Sequence, residues 1–207
     1  MASWKPPERW VPPAVPLPSQ MAGWDRTVDS WFESHLRGRT AVDRVMYGAT
    51  ALGDHGIIWM LLAGAQALRW RHGNWQRRFL RATVGLAVES AVVNGPVKWA
   101  FRRTRPIHDG PRPLHLRQPR TSSFPSGHAT AAFFGAALLR DGDPWWPLYY
   151  AIAVVVASSR VHVRIHHASD VVGGALLGVA LGELARKLVP AEPEEAEESR
   201  SACRGWT

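Results

Sequence analysis

Five apolar stretches, none long enough to cross a bilayer unaided, dominate what this chain can fold into. Their uncharged cores are Gly56–Leu68, Ala82–Val97 (interrupted by Glu89), Phe124–Leu139, Pro144–Ser159 and Val171–Gly182. A simple spanning helix takes about 20 apolar residues. Each stretch must therefore be lengthened by flanking residues whose side chains snorkel toward the interface. Trp70, Trp75, Trp99, Trp145 and Trp146 sit near the ends of the stretches, where an interfacial aromatic belt would put them. The mean hydropathy of -0.17 lies near the soluble range, so placement rather than average argues for the membrane. Strand-like alternation and internal repeats are absent. The expected fold class is all-α: an integral membrane helical bundle of about five to six helices.

Around this bundle the chain divides into three parts. Residues 1–24 are rich in proline and tryptophan and read as an extended or disordered arm. Residues 25–189 form the domain, and 190–207 make an acidic tail expected to be disordered. Within the domain, Val28, Trp31, Phe32 and Leu36 recur at helical spacing, which predicts a helix over Asp25–Leu36 lying on the membrane surface; a soluble amphipathic helix fits almost as well. A second pattern, Val42–Leu52, runs into the break Gly53-Asp54-His55-Gly56. It either crosses the membrane separately or continues into the next helix. Met1–Gln20 holds six prolines and no apolar core, so it does not read as a cleavable signal. The single cysteine, Cys203, allows neither an intrachain disulfide nor a cysteine-based metal site.

A formal net charge of +8 admits nucleic acid, anionic lipid or phosphorylated small molecules as partners. The basic residues gather between apolar stretches, a pattern that favours membrane loops and an anion site over a nucleic-acid groove. Arg69, Arg71, Arg77, Arg78 and Arg81 make the first inter-stretch loop cytoplasmic under the positive-inside rule. Counting onward puts Lys98–Phe124 and Ser159–Asp170 together on the extracytoplasmic side. The first of these loops is also strongly basic, an exception that an anion-binding site would explain.

Those two loops hold three clusters. Lys98, Arg105 and Arg160 supply cations, two of them with the guanidinium fork that suits phosphate oxygens. Ser126 and Gly127 open a helix near His128, and their backbone N–H groups at its positive end can hold a further oxygen. His166 and Asp170 are four apart, so a helix reaching back that far would let the carboxylate orient the imidazole. His166 would then attack phosphorus while His128 protonates the departing alkoxide. These roles need His166 neutral and His128 protonated, which predicts a bell-shaped pH–rate profile. Ser90, Asn94 and Lys98 recur every four residues as a polar stripe pointing into the bundle. Glu89 lies about 180° from Lys98 on a regular helix, which leaves it outside the site in a structural role.

Together the three clusters resemble the signature motifs of the type 2 phosphatidic acid phosphatase (PAP2) superfamily, in its order and internal spacing. The likeness runs over roughly Asp25–Val189. It implies a PAP2/haloperoxidase-like helical bundle, usually with six membrane helices, and a phosphohistidine intermediate formed without metal or other cofactor. It matches Lys98, Arg105, Ser126, Gly127 and Arg160 to phosphate ligands, His128 to the acid/base, His166 to the nucleophile and Asp170 to its partner. The expected activity is hydrolysis of a lipid-linked phosphate or pyrophosphate in the cell membrane, with no nucleic-acid partner and an undetermined oligomeric state. The alternatives are a vanadate-dependent haloperoxidase and a non-catalytic phosphate-binding membrane protein.

The remaining polar features have plainer readings. His162, His166 and His167 lack the carboxylate or cysteine that would complete a familiar metal site. Arg102 and Arg103 read as interfacial anchors. The proline-rich segment Ile107–Ser123, with Arg112, Arg117 and Arg120, is either a lid or a solvated loop. Gly173, Gly174, Gly178 and Gly182 form a small-residue face for close helix packing.

Overall fold

The computed structural model describes residues 19–69, 74–101, 103–106, 116 and 121–191. The arm before residue 19, most of the candidate lid with Arg112, Arg117 and Arg120, Arg102, and the acidic tail with Cys203 lie outside the described residues. Every regular element among the described residues is helical. They are α1 (Ser19–His35), α2 (Thr40–Gly53), α3 (Ile57–Arg69), α4 (Trp75–Val92), α5 (Lys98–Ala100), α6 (Gly127–Leu139), α7 (Trp146–His162) and α8 (Ala168–Leu188). The five apolar stretches correspond to α3, α4 with its extension, α6, α7 and α8.

The break at Gly53–Gly56 is a single 3-10 turn, Asp54–Gly56, between α2 and α3. The two helices nevertheless continue in one direction. Asp43 and Thr50 of α2 touch His162 and Arg160 at the end of α7, and Trp59 and Gln66 of α3 meet Gly135 and Leu139 further along α6. The described bundle thus makes five passes: α2 with α3, α4, α6, α7 and α8. α1 lies at the end where His128, His166 and Asp170 gather, and it begins at Ser19, earlier than the periodicity alone suggests. Its Asp25 carboxylate accepts from the Ser169 N–H at 2.8 Å, and Arg37 just after it donates to the Val161 and His162 carbonyls.

Helix α6 is the central strut. Ala129, Ala132, Ala136 and Ala137 are completely or almost completely enclosed, and small side chains let α3, α4, α7 and α8 close around them. The tightest seam is with α8. A β-carbon on Gly178 would lie 2.3 Å from the Thr130 carbonyl oxygen, and one on Gly174 would lie 2.6 Å from that of Ser126. Large apolar residues face outward instead: Leu61, Leu68, Leu80, Val84, Leu176 and Leu188 are all exposed. In water such a surface would be a liability; against lipid it is the expected exterior. Trp99, Trp145 and Trp146 are exposed near helix ends, as an aromatic belt requires. Only α8, at 21 residues, is long and apolar enough to cross alone among the described residues.

At the end opposite the histidines, charges serve as clamps. Arg69 pairs with Asp143, whose carboxylate also accepts from Gln66 and Tyr149. Arg81 pairs with Asp141 at 2.8 Å and donates to Leu138 and Val189 carbonyls, and Arg186 pairs with the same Asp141. These arginines hold α3, α4, α6 and α8 together besides contributing to the charge of that face.

The α6–α8 seam yields a stability prediction. Gly178→Ala forces a β-carbon against backbone that cannot swing aside, at a cost of about 1–3 kcal/mol. Gly64→Ala, where nothing lies within 4 Å, should leave stability close to the wild type. Thermal unfolding in detergent should show a lowered midpoint for the first variant only.

Candidate active site

One cavity of about 1080 Å³ opens at the α1 end of the bundle, and Lys98, Arg105, Gly127, His128, Arg160 and His166 all line it. Ser126 and Asp170 stand immediately behind this wall, both fully buried. The eight residues singled out in the sequence therefore converge, although they come from four separate segments.

Each is placed by its local structure. Lys98 ends the polar stripe of α4: its ammonium donates to Asn94 Oδ1 at 2.8 Å, and Asn94 in turn donates to Ser90 Oγ at 3.1 Å. Ser126 is the N-cap of α6, so the helix's positive end points into the cavity beside Lys98. Its own N–H is not available for a phosphate oxygen, since it donates to the Asp170 carbonyl at 3.0 Å. That corrects the expectation that both Ser126 and Gly127 N–H groups face the anion, and leaves Gly127 and His128 as the helix-terminal donors. Gly127 packs close to the cations: a β-carbon there would lie 3.2 Å from Asn94 Oδ1 and 3.5 Å from Lys98 Nζ. Arg160, on the last turn of α7, is buried and donates to Thr50 Oγ1. Arg105 spans the mouth, donating to the carbonyls of Ile165 at 2.9 Å and Ser122 at 3.1 Å.

His166 is not on α8. The helix starts at Ala168, with His167 as N-cap and Asp170 closing a capping box, so the expected helical i,i+4 pairing does not occur. A tight loop aims the ring instead: the Ile165 and His166 N–H groups both donate back to the Arg160 carbonyl at 3.2 Å. Nδ1 of His166 lies 3.7 Å from Asp170 Oδ2, and Nε2 accepts from Arg105 Nη1 at 3.1 Å. The first separation becomes a hydrogen bond after a shift of roughly 0.5–1 Å. The ring thus carries its proton on Nδ1, toward the carboxylate, and presents a lone pair at Nε2. Burial, reinforced by the neighbouring Arg160 and Arg105 charges, pushes the imidazole down to about 3 despite Asp170. His166 is accordingly a neutral base across the working pH range.

Asp170 is held from all sides. Arg103 Nη1 donates at 2.5 Å, Ser123 Oγ at 2.5 Å and the His167 N–H at 2.8 Å. Arg103 also donates to Ser169 Oγ at 2.7 Å and pairs with Asp25 of α1 at 2.6 Å. The reading of Arg103 as an interfacial anchor is therefore wrong: it is the clamp on the carboxylate that faces His166. A second correction concerns Glu89, which lines the same cavity as Lys98. The chain between them is a π turn, Val93–Val97, holding Gly95 with non-helical backbone and Pro96. A wider turn takes up about one extra residue, some 100° of rotation, and brings Glu89 round to the cavity.

Asp54 was hidden in the apparent kink. The 3-10 turn sets its carboxylate 3.0 Å from His128 Nε2, within hydrogen-bonding distance of the ring. Of the other histidines, His162 pairs with Asp43 at 2.8 Å and His167 caps α8, so the three do not converge on one point.

This arrangement of a neutral, carboxylate-backed histidine, a second histidine paired with its own carboxylate, and three cations beside a helix N-terminus can hold a phosphate and transfer its phosphoryl group. Residues 78–193 match the model of the PAP2 superfamily, and the chain belongs to that superfamily as a membrane phosphatase of its type. It is 34% identical to decaprenylphosphoryl-5-phosphoribose phosphatase of Mycobacterium tuberculosis, across 73% of this chain and 83% of that protein. It is 36% identical to an undecaprenyl-diphosphatase of Sulfolobus acidocaldarius, over 49% of this chain and 51% of that protein. In fold it is similar to the transmembrane PAP2-type phosphatidylglycerolphosphate phosphatase of Bacillus subtilis. The TM-score is 0.64, with 24% identity, covering 86% of this chain and 90% of that one.

The packing around His128 allows a direct check. A β-carbon on Gly53 would lie 2.8 Å from His128 Cδ2 and 2.9 Å from Val156 Cγ1, so Gly53→Ala must displace the imidazole. Displacement of a catalytic group by about 1 Å costs on the order of 10²-fold in rate. The variant should lose that much in kcat while inorganic phosphate still inhibits competitively with an inhibition constant close to wild type.

Proposed function

We propose that this protein hydrolyses a lipid-linked phosphate or pyrophosphate through a phosphohistidine on His166, without a metal ion. The observation that carries the reading is the shared cavity, whose wall Lys98, Arg105, Arg160, His128 and His166 line together, with Arg105 on the His166 lone pair. Residues 25–189 hold every group that the reaction uses.

The incoming phosphate draws Arg105 from Nε2 of His166 onto its equatorial oxygens, joining Lys98, Arg160 and the Gly127 and His128 N–H groups. Charge on those oxygens is neutralised by side-chain cations and backbone dipoles, which is the main requirement of phosphoryl transfer. The freed Nε2 lone pair forms the P–N bond as the P–O bond to the lipid breaks. His128 gives its proton to the departing oxygen, and Asp170 stabilises the positive charge on the His166 ring through Nδ1–H. In the second half, His128 takes a proton from water as that water's oxygen attacks phosphorus. The P–N bond breaks, inorganic phosphate leaves and His166 is regenerated.

The relatives' substrates support a membrane-borne one here. Decaprenylphosphoryl-5-phosphoribose and undecaprenyl diphosphate, named for two of them, both carry a polyprenyl chain. A lipid of this kind reaches the cavity by lateral diffusion. The cavity lies at the end opposite Arg69, Arg77, Arg78, Arg81 and Arg186, so the positive-inside rule favours an extracytoplasmic site in the cell membrane.

Purified protein in EDTA should release inorganic phosphate from a polyprenyl phosphate, and His166→Ala should release it at least about 10³-fold more slowly. Equal rates would remove His166 from the mechanism, and strict dependence on added metal would overturn it. The pH profile of kcat/KM gives a separate check. Because His166 stays neutral down to about 3, its protonation does not set the acid limb. That limb follows the substrate's own second ionisation, near pKa 6 for a phosphate monoester, and should move with a substrate of different phosphate pKa.

A further inference from the structure

Glu89 is the buried carboxylate that the phosphate chemistry leaves without a task. It is 4% exposed, and its Oε1 has no hydrogen-bond partner among the described residues. Native proteins seldom leave a buried acceptor unsatisfied, and such an atom beside a cavity points to a donor on the ligand. Glu89 also has a particular position. It lines the catalytic cavity and, equally, an apolar groove of about 580 Å³ between α4 and α8.

The lining changes character at this residue. On the cavity side, α4 presents Thr83 and Ser90 beside Leu86 and Ala87, and the π turn adds Asn94, so neutral groups able to donate and accept stand along this wall. On the groove side come Val84, Val88, Val92, Leu181 and Leu184, with arginines only at the far end. The cavity, at about 1080 Å³, is at the upper end of small-molecule pockets, with room beyond a phosphate. A ligand anchored by phosphate at Lys98 and His166 and by a hydrocarbon chain in the groove would place its connecting unit against Glu89.

Building on the phosphatase reading, we infer that Glu89 accepts hydrogen bonds from hydroxyl groups of a sugar or polyol unit between the scissile phosphate and the lipid chain. A cationic headgroup fits less well, because Lys98, Arg105 and Arg160 charge the same cavity positively. A lipid phosphate with no hydroxyl at that point leaves Oε1 unsatisfied, and a site built to bond a hydroxyl discriminates strongly against analogues that lack it. Glu89 is in this sense a specificity residue of the site.

The test compares two substrates of equal chain length in detergent: a polyprenyl-phosphoryl sugar phosphate and a plain polyprenyl monophosphate. The quantity read is the ratio of their kcat/KM values in wild type, Glu89→Leu and Glu89→Gln. The wild type should prefer the sugar phosphate, and Glu89→Leu should lower the ratio at least about tenfold, through KM for the sugar substrate. Glu89→Gln keeps an acceptor oxygen and should lower it less. Should Glu89→Leu fail to fold, Glu89→Gln decides alone: a fall of about threefold or more supports the inference, and an unchanged ratio overturns it. An equal loss on both substrates would make Glu89 a counter-charge to Lys98 and overturn the hydroxyl reading. A wild type that hydrolyses both lipids without preference also overturns it while leaving the phosphatase reading intact. Failure to hydrolyse either would defeat the phosphatase reading itself, and this inference with it.

Discussion

The seam between α6 and α8 is the contact on which the site depends. Gly174 and Gly178 let the α8 backbone press against carbonyls of Ser126 and Thr130. At the top of that seam the Ser126 N–H donates to the Asp170 carbonyl. One backbone hydrogen bond therefore ties the N-terminus of α6, with its positive dipole, to the N-terminus of α8, whose third residue, Asp170, faces His166. Two helix starts brought side by side make a strongly anion-attracting corner before any arginine is counted. A bulkier residue in the seam would separate Gly127 and His128 at the start of α6 from His166 and Asp170 at the start of α8.

That corner must also tolerate a crowd of like charges. Lys98, Arg105 and Arg160 share a cavity with Asp54 and Glu89 as the carboxylates on its wall, and Arg103 adds a fourth cation just behind. The molecule meets this by giving Asp170 and Asp25 to Arg103 and by turning Arg105 onto backbone carbonyls. Arg160 is held through Thr50 of α2. Hydrogen bonds to neutral oxygens fix the guanidinium groups in place without cancelling their charge. This keeps them preorganised for an anion, which is where electrostatic catalysis gets most of its effect. Burial, reinforced by the same field, keeps His166 unprotonated, while His128 has the Asp54 carboxylate beside it.

The bundle, and the gathering of the eight candidate residues at one cavity, were legible in the sequence because each rests on a short-range pattern. Apolar runs bounded by tryptophan and arginine mark the helices; Ser-Gly before His128 marks a helix start; Lys98, Asn94 and Ser90 mark one face. What was missed depends on contacts or backbone departures that no local pattern encodes. Arg103 and Asp25 meet across 78 residues of chain, and neither has a helical or motif spacing to the other. Asp54 sat inside Gly53–Gly56, where glycine suggested only a kink. Glu89 was excluded by assuming a regular helix, and Pro96 after Gly95 was the signal that the assumption failed. His166 and Asp170 were paired for a helical reason that does not hold; the N-cap at His167 achieves the pairing through a loop.

The π turn links the two halves of the molecule's chemistry. Below it, α4 is an ordinary membrane helix with valines toward lipid and arginines clamped to the opposite loop. Above it, the short α5 brings Lys98 to the cavity. A regular helix could not place both Lys98 and a residue nine positions earlier on one cavity wall. The wide turn does so by rotating the lower segment, which moves a carboxylate to the border between polar cavity and apolar groove. Such insertions in helices recur at functional positions because they change which residues share a face without breaking the helix. In this fold the loops and helix starts bring the cations and histidines to one cavity. The face that could tell one lipid from another is the one set by a local irregularity in α4, and that is where substrate preference can change without disturbing the catalytic corner.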